Sequence, residues 1–184
     1  MPKNHAFGAV AAHVYETPGT YTARLAVMDA RRRVVAVRSV DVTIQDPDVV
    51  FGGTSTVCFA NDGRFDGCPA GARHVTTSQL SRVRDEVASG RRLLLQRGST
   101  FDADAPIEIR NLLGPGMIGA FGSGKNPPLI TTSIPTFATN GVRDFRFVDL
   151  ALEGRPDTSE AVTVWSRSND ILVLHVATHR IGAG

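Results

Sequence analysis

The chain has 184 residues, 42% of them hydrophobic and 21% charged, enough apolar surface for one large or two small cores and too much for a disordered polypeptide. Its 18 glycines and 10 prolines against 7% aromatics suit an all-β chain with many turns. The formal charge is only +2, and Arg31, Arg32, Arg33, Arg82, Arg84, Arg91 and Arg92 form no basic stripe interleaved with aromatics, which argues against a nucleic-acid partner.

The N-terminus, Met1-Pro2-Lys3-Asn4-His5, lacks the apolar run of a signal peptide, and no window approaches the roughly 20 apolar residues of a membrane-spanning helix. Next come His13-Val14-Tyr15, the turn Pro18-Gly19-Thr20, and a strand with Tyr21, Ala23, Leu25 and Val27 on one face, Thr22 and Arg24 on the other. A second strand follows over residues 34–44. Its apolar parity changes, with Val35 and Val37 odd but Val40, Val42 and Ile44 even, so a bulge is expected near Arg38-Ser39, or burial on both sides. The two strands are expected to pair antiparallel, with Tyr21, Leu25 and Val27 facing a core that these residues only half supply.

This segment resembles the second half of a PKD-type (polycystic kidney disease-type) domain. The resemblance implies a partial Ig-like β-sandwich over residues 1–46 and an extracellular or cell-surface protein. The early strands of such a domain are reduced here to Phe7-Gly8, so a preceding leader is expected to be missing with them. Asp46-Pro47-Asp48 and Gly52-Gly53-Thr54-Ser55 then mark a linker at 47–56, and the second domain is placed at 57–184.

Cys58 and Cys68, the only cysteines, are nine residues apart with Gly63, Gly67 and aspartates between them, which lets the chain reverse. A disulfide is expected in an oxidising environment, and two unpaired thiols are the alternative. A zinc site is disfavoured because only His74 lies near as a further ligand. Over residues 77–90 a Ser or Thr cap, apolar Leu80, Val83 and Val87 and a terminal Gly90 predict one short amphipathic helix covering the end or side of a sheet.

From Arg91 onward, short apolar bursts alternate with Gly, Pro and Asn turns. Residues 140–152 align with residues 166–178 at an offset of 26, including the Asp before each apolar run, Asp144 and Asp170. Repeats of this length, each unable to bury its apolar face alone, mark a solenoid. The order of capping helix, Leu93-Leu94-Leu95, Ile107-Glu108-Ile109, Gly116 to Gly124 and Leu129-Ile130 resembles the opening rungs of a right-handed parallel β-helix of the pectin-lyase-like type. Further rungs are expected beyond Gly184, and a monomer is expected.

Several motifs bear on chemistry. Gly119-Ala120-Phe121-Gly122-Ser123-Gly124-Lys125-Asn126 approaches a phosphate-binding loop, but Asn126 replaces the hydroxyl that would bind magnesium and Pro127-Pro128 blocks the following helix, so a tight turn between rungs is expected instead. Asp102 with Asp104, and Asp46 with Asp48, each offer calcium only part of its 6–8 oxygens; no metal site and no cofactor are assigned, calcium remaining open. Asp170, His175, His179 and Arg180 are the one late cluster suited to acid–base work on a sugar, although His175 lies within an apolar burst and a structural role is the stronger reading. The resemblances imply a secreted protein that acts on or binds extracellular polysaccharide. If it is an enzyme, it is a polysaccharide lyase or glycoside hydrolase with its active site on rungs beyond this chain. A non-catalytic surface or adhesion rod is the alternative.

Overall fold

Residues 15, 17–132, 136–155 and 160–182 are described by the structure, a computed structural model, and the chain divides into two units, Met1–Val50 and Phe51–Gly184. His13, Val14 and Phe7-Gly8 lie outside the described residues.

In the first unit, β1 (Gly19–Met28) and β2 (Val34–Ile44) pair antiparallel from Gly19↔Ile44 to Val27↔Ala36. Asp29 builds the turn: its carboxylate accepts the amides of Arg33 and Arg31 and the Arg33 guanidinium. The Arg33 amide above all, with the other two bonds, holds this carboxyl below its usual range. The ladder runs unbroken through Arg38 and Ser39, so the expected bulge is not there; it lies at Val35, which is skipped between Val27↔Ala36 and Met28↔Val34. That bulge does not account for the change of apolar parity, because Val37 and Val40 both lie within the unbroken ladder; Val37 is half-buried on one face and Val42 and Ile44 on the other, so both faces of β2 are partly covered. Tyr21, Ala23, Val42 and Ile44 are half-buried, whereas Leu25 is 62% exposed and Val27 is exposed too, contrary to the core-facing role expected of them. Asp46 then caps a single turn, α1 (Pro47–Val50), its carboxylate accepting the Asp48 amide.

The second unit is a parallel β-solenoid of about three turns. It opens with β3 (Thr56–Ala60), β4 (Arg73–Thr76) and the helix α2 (Leu80–Arg84). The first turn then consists of β5 (Arg92–Gln96), β6 (Thr100–Asp102) and β7 (Ile107–Arg110). The second is β8 (Leu113–Phe121), β9 (Leu129–Thr132) and β10 (Phe137–Asn140), and the third is β11 (Arg143–Gly154), which bends to serve two faces, with β12 (Val162–Val164). The last strand, β13 (Asn169–His179), begins another turn. Three faces result. β4, β3, β5, β8 and the first halves of β11 and β13 make one; β6, β9 and the second halves make the next; β7, β10 and β12 make the third.

Register explains the core. Val57, Leu93, Ile118, Phe147 and Val173 are successive partners across five parallel strands of the first face. Phe101, Ile130 and Leu152 form the matching column of the second face, and Ile107 and Phe137 that of the third. All of these except Val173 on the last strand are buried. Each such side chain gains roughly 1.5–3 kcal/mol from burial, which a lone turn could not collect. Gly116 is required by this packing: a Cβ there would stand 2.4 Å from the Phe145 ring.

The helix expected over 77–90 is only five residues long. Residues 77–79 are used otherwise: Ser78 accepts the Asp102 amide and Gln79 bridges to Asp102 in parallel, extending the second face. The cap comes from the turn that follows rather than from Thr77 or Ser78, since Asp104 accepts both the amide and the hydroxyl of Ser81. Burial raises the Asp104 carboxyl, but the Ser81 hydrogen bonds outweigh it and lower the pKa overall. Leu80 and Val83 enter the solenoid core, so the helix does act as its cap.

Cys58 points outward from β3 and is bonded to Cys68, with Cα atoms 6.3 Å apart. The loop so closed seats Phe65 against His74, ring centroids 4.2 Å apart, and over a small outer apolar cluster that includes Leu94 and Phe121. Reduction with a dithiol is expected to lower stability by about 2–3 kcal/mol, the loop-closure value for so short a ring, measured by denaturant melts with and without reductant. On the edge of the same face, Arg73 holds Glu86 through two hydrogen bonds of 2.8 and 2.9 Å, and Arg91 adds a third. The Arg73 hydrogen bonds foremost push the Glu86 carboxyl below its usual range. The stability this contributes is therefore full above the ordinary glutamate value near 4.3 and disappears as pH falls through the lower folded value. Glu86→Gln is expected to cost about 1 kcal/mol or less at pH 7 and to flatten the acid limb of a pH–stability profile.

Candidate functional site

A parallel solenoid must turn sharply between faces, and the left-handed backbone conformation does this in one residue. Asp and His adopt it more readily than most. β11 turns from the first face to the second at Asp149 (φ 57) and β13 at His175 (φ 52), between the pairs Val148↔Leu174 and Leu150↔Val176. Asp144 (φ 57) and Asp170 (φ 56) are the corresponding residues at the preceding corner. The offset of 26 seen in the sequence is thus the register of β11 on β13, from Arg143↔Asn169 to Glu153↔His179.

Stacking at this offset gives each late histidine a carboxylate partner one turn below. His175 Nδ1 lies 3.1 Å from Asp149 Oδ1, and His179 Nδ1 lies 2.7 Å from Glu153 Oε2. The other Asp149 oxygen accepts from Arg97 at 2.5 Å, and the other Glu153 oxygen lies 3.4 Å from Arg180. Arg97 follows β5 in the first turn, and Gly124 in the second turn gives its stem room, an added Cβ there standing 3.3 Å from Arg97 Cβ. Since a carboxylate only accepts, each imidazole carries its proton on Nδ1, leaving Nε2 uncommitted. The His175 and His179 side chains are 66% and 68% exposed, and their carboxylates about 30%.

The structure therefore brings His175, His179 and Arg180 onto one corner and strand end, and leaves Asp170 apart. Asp170 sits at the far end of the same face, about 15 Å of extended chain before His175. Arg97, Asp149 and Glu153 complete the cluster and were not singled out by residue type. Their signal was the repeat itself, since subtracting 26 from His175 and His179 gives Asp149 and Glu153. In the phosphate-loop-like stretch Gly119, Ala120 and Phe121 end β8, and the rest is a turn, with Gly122 at φ 94, leading into β9 rather than a helix. Asp102 and Asp104 are tied to Arg155 and Ser81. Among the described residues no group of three or more His, Cys, Asp or Glu gathers as a metal site would require.

The arrangement supplies donors and acceptors from the corner to the end of β13, with an imidazole–carboxylate pair in each of two places. No helix among the described residues is long and apolar enough to cross a membrane. Comparison with protein families, curated proteins and solved structures finds no match.

Exposed pairs of this kind contribute little to folding. Glu153→Ala, which releases both His179 and Arg180, is expected to lower unfolding stability by no more than about 1 kcal/mol, read from a urea melt.

Proposed function

We propose that this is an extracellular polysaccharide-binding protein, its first unit a partial PKD-type module and its second the opening turns of a right-handed, pectin-lyase-like β-helix. The observation that carries the reading is the row of exposed hydrogen-bonding groups from the β13 corner to its end, His175, His179 and Arg180 backed by Asp149 and Glu153. His175 and His179 stand four residues apart on β13, about 13 Å, so a linear polymer lying along the strand meets polar groups in succession. A sugar hydroxyl both donates and accepts, and the mixture of imidazole, guanidinium and carboxylate answers both needs. The Cys58–Cys68 bridge suits an oxidising, extracellular setting. The His175–Asp149 pair also has the form of a general base with its orienting carboxylate.

A second reading, a non-catalytic surface rod, is favoured by one fact: Asp149 and Glu153 are each already engaged on both oxygens within the protein. Affinity electrophoresis in gels containing pectate, alginate and neutral glycans separates the two. The binding reading expects retardation in at least one gel, reduced about fivefold or more by the triple change His175→Ala, His179→Ala and Arg180→Ala with the melting transition retained. Migration unchanged in every gel favours the rod. Following unsaturated-product absorbance and reducing ends in the same mixtures is expected to show binding without turnover.

A further inference from the structure

The third face of the solenoid carries a feature that the corner does not share. Its three strands run in the order β7, β10, β12, and the outward residues of the middle strand are the small Ala138 and the amide Asn140. On one side of them stand Glu108 and Arg110, partners of Ala138 and Asn140 in the ladder. On the other stands Trp165, just beyond β12, its amide bonded to the Thr139 carbonyl at 2.8 Å. The outcome is a shallow, open trough lined by these residues. Its width is two strand spacings, about 9–10 Å.

Trp165 is the only tryptophan in the chain and is 49% exposed. An indole half in water forfeits much of the burial that usually favours it, and its exposed half is apolar surface that a ligand can cover. Opposite it, Arg110 donates to Glu108 at 2.5 and 3.0 Å, so that side is polar yet carries no net charge. The Glu108 carboxylate retains acceptor capacity, Arg110 retains donors, and the Asn140 amide can do both.

We propose that this trough binds one ring of a neutral, equatorially substituted pyranose chain of the β-1,4-glucan kind. The axial C–H face of such a ring lies against Trp165, and its rim of hydroxyls meets Glu108, Arg110 and Asn140. The charge balance of the Glu108–Arg110 pair selects a neutral sugar over a uronate. The inference rests on the reading of the protein as a polysaccharide binder, but it places a separate site on a different face from the His175 corner.

Because Trp165 is the sole indole, its fluorescence reports on this site alone. Titration of the whole chain with cellohexaose is expected to give a saturable change in emission, and calorimetry the same affinity. Trp165→Ala is expected to weaken that affinity about tenfold, as loss of ring stacking would. Trp165→Phe, which keeps a ring, should retain most of it, and Arg110→Ala should weaken it severalfold without moving the melting transition. No saturable change with cellohexaose, or a change with polygalacturonate alone, overturns the trough while retardation in the gels can still stand. Failure of every glycan in both assays overturns the underlying reading as well.

Discussion

Each turn of the second unit is stable only because the next turn lies in register upon it. Among the described residues, the strands of different faces within a turn share no ladder, and the ladders run from turn to turn. The column Val57, Leu93, Ile118, Phe147, Val173 shows the consequence, since its members come from strands tens of residues apart and meet only through parallel pairing. A slip of one residue would turn Phe145 and Phe147 outward and bring Arg146 into the core, an exchange of large cost. Among the described residues no strand lies beneath the third face of the first turn, and α2 covers β7 there with Leu80 and Val83. The hairpin of the first unit follows a different rule, an antiparallel ladder set by the Asp29 turn.

Constant register also decides where chemistry can gather. A corner residue in one turn stands over the corner residue of the turn before it, so a substitution that suits the bend brings a functional group with it. Asp149 and His175 are there because the backbone is left-handed, and their proximity follows. Glu153 with His179 repeats the pairing four residues later. The same logic produces the trough on the third face, where small residues on the middle strand lie between larger ones on its neighbours.

What the sequence made legible was whatever depends on residues related by one repeat. The alignment at 26 is the ladder of β11 on β13, and the glycine-bounded cysteine pair is a disulfide. What it concealed depends on partners from other turns. Residues 77–90 have helical spacing, but Asp102 and Asp104 recruit Ser78, Gln79 and Ser81, and only five residues remain helical. The parity change in β2 reflects partial cover of both its faces, and the bulge lies outside it at Val35, because the β1 register, set at the turn, decides which residue is skipped. Asp170 fell within a sequence cluster with His175, though in an extended strand five residues are a long way. Trp165 gave no signal at all, because nothing local shows that residues 138 and 108 stand beside it.

The most direct test of this account measures the register between the last two long strands. Nitroxide labels are attached at Arg143→Cys with Asn169→Cys, and separately at Ala151→Cys with Ala177→Cys, the native cysteines being bonded to each other. Continuous-wave spectra of both pairs should show strong dipolar broadening, because each pair occupies adjacent strands about 4.8 Å apart at either end of one parallel ladder. Spectra as sharp as those of the singly labelled chains in either pair would contradict the parallel register of 26, and with it the solenoid on which the corner and the trough depend.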